Sequence, residues 1–170
     1  MTAHKLTFIL GGARSGKSAY GERLIGQLPP PWTYVATAQV FDDEMDARIK
    51  AHQVRRDERW QTIEAPHNLV DRLNKLPDGS PVLIDCLTLW LTNMMLGEFD
   101  LDSARDELIN MLKKPRGPWF VVSNETGLGI VPENNLARRF RDEAGILNQR
   151  VAAVADDVVF MVAGLPMQVK

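Results

Sequence analysis

The stretch LTFILGGARSGKSAYGERL, residues 6–24, decides the fold. An apolar run, Leu6 to Leu10, breaks into a glycine turn and then into residues with helical spacing. Within it Gly11, Gly12, Ala13, Arg14, Ser15, Gly16, Lys17 and Ser18 satisfy the pattern G-x-x-x-x-G-K-[ST] at every position. The glycines let the backbone curl so that amide hydrogens converge on an anion, and the start of the following helix adds its positive end. Phosphate binds there. Lys17 reaches toward the outer phosphates of a nucleoside triphosphate, and the Ser18 hydroxyl supplies one ligand to a magnesium ion that otherwise keeps mostly water. A glycine-rich turn matching by coincidence would lack the strand before and the helix after.

Outward from the loop, apolar runs bounded by turn residues alternate with helix-like segments. That is the pattern of a parallel sheet with helices on both faces. Strands are predicted near residues 5–10, 32–37, 60–64, 81–86, 118–123 and 157–163, and helices at 16–27, 42–58, 67–75, 87–96, 101–113 and 133–155. Pro29 to Pro31 end the first helix, because proline lacks an amide hydrogen and restricts the residue before it; PDGSP at 77–81 is a turn. With no internal repeat and no linker, residues 1–170 read as one three-layer α/β phosphate-loop (P-loop) domain with a mostly parallel sheet.

The totals narrow the partners. A net charge of −2 argues against binding along a nucleic-acid backbone, which requires clustered positive charge. The single Cys86 excludes an intrachain disulfide and a cysteine-rich zinc site, and suits a reducing cytoplasm. The N-terminus reaches its glycine turn too soon for a signal peptide, and no apolar run approaches the roughly 20 residues that span a bilayer. A cytoplasmic enzyme of small molecules is expected.

Two candidate groups accompany the loop. PVLIDCLTLW, residues 81–90, ends a buried strand in Asp85, which is placed to face Ser18 and share its magnesium; an aspartate there can also cap the next helix, but an acid at the end of a buried strand fits the metal role better. Cys86 beside it reads as a small buried hydrophobe. VATAQVFDDEMDARIKAHQVRRDERW, residues 35–60, puts Glu44, Arg48, His52 and Arg55 along one helical face. A solvated helix has the same pattern. Yet His52 offers a neutral imidazole near neutral pH, able to form a covalent intermediate, with Arg55, Arg56 and Arg59 at hand to clamp phosphate oxygens. His4, in an N-terminus expected to fray, and His67, beside a proline turn it could cap, are weaker candidates.

Further on, SNETGLGIVPEN, residues 123–134, holds Asn124, Glu125, Gly127 and Gly129 and can bring backbone amides and a carboxylate close to a ligand, or can be a long glycine-shaped connection. The helix after it carries Arg138, Arg139 and Arg141, either a solvated face or a reach toward an anionic substrate.

Five stretches in order, GGARSGKS, VATAQ…DDEM…RI…H, DCLTLWLTN, SNE.G.GIVPEN and FRD..G..NQ, followed by AGLP, resemble the bifunctional adenosylcobinamide kinase and adenosylcobinamide-phosphate guanylyltransferase family. The resemblance runs from residue 6 to the end and implies a RecA-like P-loop fold and a homotrimer. It implies that ATP or GTP phosphorylates adenosylcobinamide, and that GMP then passes from GTP through a guanylylated histidine to give adenosylcobinamide-GDP. That histidine falls at His52. Nucleotide contacts are implied for Gly11 to Ser18, for Ala36, Thr37 and Ala38, for Gln53, Val54, Arg55 and Arg56, and for Glu64 and Asp85. Some members have two adjacent histidines, where this chain has Ala51 before His52. Competing readings are a P-loop kinase for another small alcohol and a nucleotide-dependent switch; the guanine-reading N-K-x-D signature of regulatory GTPases is absent.

Overall fold

Neighbouring side chains on a strand point to opposite faces, and β1 (Leu6–Gly11) is buried on both: Phe8 and Ile9 have no exposed surface. Such a strand belongs in the middle of a covered sheet. The computed structural model describes residues 4–39 and 56–170. After β1 come α1 (Lys17–Ile25), β2 (Trp32–Ala36), β3 (Trp60–Glu64), α2 (Leu69–Asn74), β4 (Val82–Asp85) and α3 (Leu87–Leu96). The chain continues through α4 (Leu101–Leu112), β5 (Trp119–Asn124), α5 (Asn135–Val154), β6 (Asp157–Val162) and β7 (Leu165–Gln168). One sheet of seven strands runs in the order β3-β2-β4-β5-β1-β6-β7, parallel throughout except for β7, which is antiparallel to β6. This is the expected three-layer α/β fold with a mostly parallel sheet.

The alternation along the strands sorts two cores. Phe8, Val35, Val82, Ile84 and Val121 face helices α2 to α5, meeting Leu69, Leu73, Leu87, Leu108 and Leu147. Ile9, Tyr34, Leu83, Val122 and Val159 face the other way, toward Ile25 of α1. The long helix α5 starts at Asn134, whose side chain accepts the Ala137 amide at 3.0 Å, and α4 starts at Asp100, which accepts the Ser103 amide at 3.1 Å; each satisfies an otherwise orphaned donor. Among the described residues no helix is long and apolar enough to cross a membrane.

Three expectations change. The predicted helix 42–58 lies outside the described residues as far as 55, and its last residues are not helical: Asp57 accepts both the backbone amide and the guanidinium of Arg59, drawing the chain into a turn. The strand expected at 157–163 folds back at Ala163 and Gly164, both with positive φ, 50° and 81°, to make the unforeseen β7 through a two-residue hairpin. His4, expected in a frayed end, has its Nδ1 3.0 Å from the Pro115 carbonyl oxygen.

Helix α1 lies so close on β4 that a methyl group at Gly21 would come to 2.8 Å from Leu83 Cδ1, in a fully buried position. Gly21→Val is therefore expected to overpack this contact and destabilise the protein by about 1–3 kcal/mol, measured by denaturant unfolding.

Candidate nucleotide site

The strand register brings the candidate groups to one edge. Ala36, the last residue of β2, pairs with Glu64 on one side and Asp85 on the other; Asp85 pairs in turn with Val122, and Gly11 with Asn124. The carboxyl ends of five neighbouring strands thus line up, and open parallel sheets bind ligands along that edge. Glu64 is exposed there and Asp85 is half-buried.

The phosphate loop leaves β1 over this edge. Gly11 has no room for a side chain: a Cβ would sit 2.8 Å from both the Met161 carbonyl oxygen and Ser15 Oγ. Gly16, with φ of 92°, occupies the left-handed region that lets the backbone turn into α1. Behind the loop, the Gly164 amide at the β6–β7 turn donates to the Ser15 carbonyl at 3.0 Å, so the hairpin braces it. Lys17 is buried; its ammonium donates to the Gly12 carbonyl at 2.5 Å and approaches Ser15 Oγ at 3.4 Å. Burial lowers its pKa, while Cys86 and Asp85 pull it back up, so the lysine lies within electrostatic reach of the β4 end. Ala13 and Arg14 are exposed, and Gly12 and Ser18 are half-buried.

Beneath the edge lies a network of buried polar groups. Thr37 Oγ1 donates to the Cys86 carbonyl at 2.7 Å and accepts the Cys86 amide at 2.8 Å. The Thr37 amide donates to the Asp85 carbonyl at 3.3 Å, and its carbonyl accepts Asn93 Nδ2 at 2.7 Å. Every polar group of Thr37 is engaged inside the protein, clamping the ends of β2 and β4 together. Ala36 and Ala38, beside it, are half-buried. Asn124 Nδ2 donates to Thr88 Oγ1 at 2.9 Å, and Asn148 of α5 takes the Ser123 hydroxyl at 2.7 Å and donates to the Asn124 carbonyl at 3.1 Å. Cys86 is buried, and burial beside Asp85 pushes its thiol pKa up to about 11, the setting of an inert cysteine rather than a nucleophile.

Asp85 does not cap α3; that position belongs to Cys86. Its Oδ2 instead accepts the Tyr34 hydroxyl at 3.1 Å. Over the Tyr34 ring, at 3.7 Å from its centroid, sits the guanidinium of Arg56. Tyr34 also meets Trp60 edge-on at 6.2 Å, Trp60 meets Trp32 at 5.2 Å, and Arg59 covers Trp32 at 4.7 Å. The turn after β2's crossover is thus pinned at both ends by a cation on an aromatic face.

His52, Gln53, Val54 and Arg55 lie outside the described residues. Of the other candidates, His67 offers its carbonyl to Trp90 Nε1 at 3.2 Å and its ring to Phe99; the position before α2 is held by Asn68, whose side chain makes no capping bond. Arg138 donates to the Pro132 and Glu133 carbonyls, at 2.8 and 2.6 Å, and so holds the end of the loop after β5. In that loop the Gly127 amide donates to Glu125 Oε1 at 2.5 Å. Tyr34, Thr88 and Asn93 were not foreseen from sequence. A tyrosine in an apolar strand reads as core, whereas Thr88, Thr92 and Asn93 on the apolar helix α3 were a visible signal, polar groups that burial obliges to find partners.

Among solved structures, the fold is similar to a flagellar accessory protein FlaH from Methanocaldococcus jannaschii, with a TM-score of 0.51 and 17% identity over 100% of this chain and 80% of that one. It is also similar to an ATPase of a bacterial type III secretion system, with a TM-score of 0.55 and 9% identity over 97% of this chain and 57% of that one. Such similarities concern the P-loop NTPase fold alone. In sequence the chain is 48% identical to the bifunctional adenosylcobalamin biosynthesis protein CobP of Pseudomonas aeruginosa, over 95% of each chain. It is 40% identical to the corresponding protein CobU of Salmonella typhimurium, over 97% of this chain and 99% of the relative. The family described as cobinamide kinase / cobinamide phosphate guanyltransferase matches residues 7–169, and with relatives this similar over nearly their whole length, the chain belongs to that family of bifunctional transferases.

Proposed function

We propose that this enzyme performs both transfers at the edge of the sheet, using the phosphate loop for the first and a guanylylated His52 for the second. In the kinase step the hydroxyl oxygen of adenosylcobinamide attacks the γ-phosphorus of ATP or GTP. The bond to the β–γ bridging oxygen breaks, and the nucleoside diphosphate leaves as the hydroxyl loses its proton. The loop amides and Lys17 stabilise the charge spread over the transferring group.

In the second step a nitrogen of His52 attacks the α-phosphorus of GTP and expels pyrophosphate, forming a phosphorus–nitrogen bond to GMP. A phosphate oxygen of the first product then attacks that phosphorus, the bond to nitrogen breaks, and adenosylcobinamide-GDP leaves with the imidazole restored. Such a bond stays reactive, so GMP is not stranded on the enzyme. His52 is four residues from Arg56 along the chain, a tether of at most about 14 Å, and Arg56 lies one phenol ring from Asp85. Arg55 and Arg56 offset the added anionic charge.

The Ser18 hydroxyl and the Asp85 carboxylate, of which Tyr34 occupies only Oδ2, are hard oxygen donors that suit magnesium with its waters. When bound, the ion neutralises charge on the phosphates. Ala36, Ala38, Gln53, Val54 and Glu64 complete the proposed nucleotide contacts, and Thr37 contributes by holding β2 to β4. A homotrimer of such domains would cover apolar side chains that the single chain leaves exposed, Leu128 and Ile130 after β5 and Leu165 on β7. The lone buried thiol agrees with a cytoplasmic setting. What carries the reading is a complete phosphate loop beside Asp85, in a chain 48% identical to a bifunctional relative.

Incubation with GTP labelled at the α-phosphate is expected to give one GMP adduct that is acid-labile and base-stable, mapped by peptide mass spectrometry to His52 and absent from His52→Ala. An unlabelled wild-type protein, or equal labelling of the variant, defeats the histidine intermediate. Lys17→Ala is expected to lower kinase turnover by about a hundredfold or more, with the fold retained by circular dichroism.

A further inference from the structure

The arginine–aromatic ladder is not accounted for by the loop or by His52. Tyr34 is 6% exposed, and in an apolar strand a phenylalanine would fill the same space. What the tyrosine adds is a hydroxyl that donates to Asp85 Oδ2, while its ring carries the Arg56 guanidinium at 3.7 Å. The guanidinium lies against that ring and hydrogen-bonds the phenol, while Arg56 Nη1 is buried with no hydrogen-bond partner among the described residues. A buried cationic donor left open in this way suits an anionic oxygen.

Resting on the proposed role of Arg56 in nucleotide binding, we infer that Tyr34 is a positioning residue: its ring seats Arg56 toward the nucleotide phosphates, and its hydroxyl, held by Asp85, fixes the ring. The neighbouring Trp60 packs edge-on against the ring and limits its tilt. Through one phenol, the placement of the arginine is tied to the carboxylate at the end of β4. Tyr34 itself makes no contact with substrate in this arrangement. Its effect passes through Arg56.

The test is a double-variant cycle read by GTP affinity in magnesium-free buffer, using displacement of a fluorescent GTP analogue, with the rate of GMP-adduct formation followed by intact mass. Tyr34→Leu is expected to weaken GTP binding about tenfold, and Tyr34→Phe, which keeps the ring, by a smaller factor. Tyr34→Leu combined with Arg56→Ala should bind GTP within about twofold of Arg56→Ala alone, because the seat is worthless without its occupant. Losses that multiply in the double variant, or full affinity in Tyr34→Leu, overturn the inference. A general loosening of the fold would multiply rather than coincide. Should the leucine variant fail to fold, Tyr34→Met, whose flexible thioether fills most of the space, carries the same cycle. Absence of any GMP adduct in the wild type counts against the histidine intermediate alone, since the binding cycle reads Tyr34 without transfer.

Discussion

The parallel register of β2, β4, β5 and β1 is the constraint from which the site follows. A parallel strand cannot slip by one residue without turning its buried side chains to the wrong face, and these strands bury both faces. Phe8 and Ile9, or Ile84 and Leu83, would exchange cores. The packing that fixes the register therefore also brings the ends of these strands, with Asp85, Ala36 and Asn124, to one edge. The phosphate loop adds its curl to a position already determined.

Just under that edge the protein keeps polar groups that a simple core would exclude. Thr37, Asn93, Ser123 and Asn148 are all buried, and each buried donor left unpaired would cost about 1–3 kcal/mol. Nearly all are paired, and the pairs cross between elements: β2 to β4 through Thr37 and Cys86, α3 to the segment after β2 through Asn93, and β5 to α5 through Asn148. Directional bonds of this kind hold strand ends to a geometry that apolar contact alone leaves loose. Tyr34 extends the same logic outward, since its hydroxyl meets a carboxylate and its ring meets a cation.

Much of the fold was legible because its signals are local. Six strands and the helices from α1 to α5 follow from apolar runs, turn residues and caps close in sequence, and the phosphate loop was readable outright because its mechanics need particular residues at fixed spacing. β7 was missed because Leu165 to Gln168 is short, contains a proline and is exposed, so it has no burial pattern to betray it. Residues 56–58 are read as the end of a helix because their charges suit a helix surface; the bonds of Asp57 to Arg59 and the aromatic faces of Tyr34 and Trp32 outweigh that propensity.

By itself, then, the chain determined the strand-and-helix order, the phosphate loop and, through five ordered stretches, the family to which it belongs. Only tertiary structure decided which groups meet: that Thr37 is spent on Cys86, that Asp85 holds Tyr34 rather than capping α3, and that a β-hairpin more than a hundred residues away braces the loop at Ser15. The physical reason is range. Propensity, capping and loop chemistry act over a few residues, whereas a hydrogen bond between strand ends depends on every register and helix packing that brings those ends together.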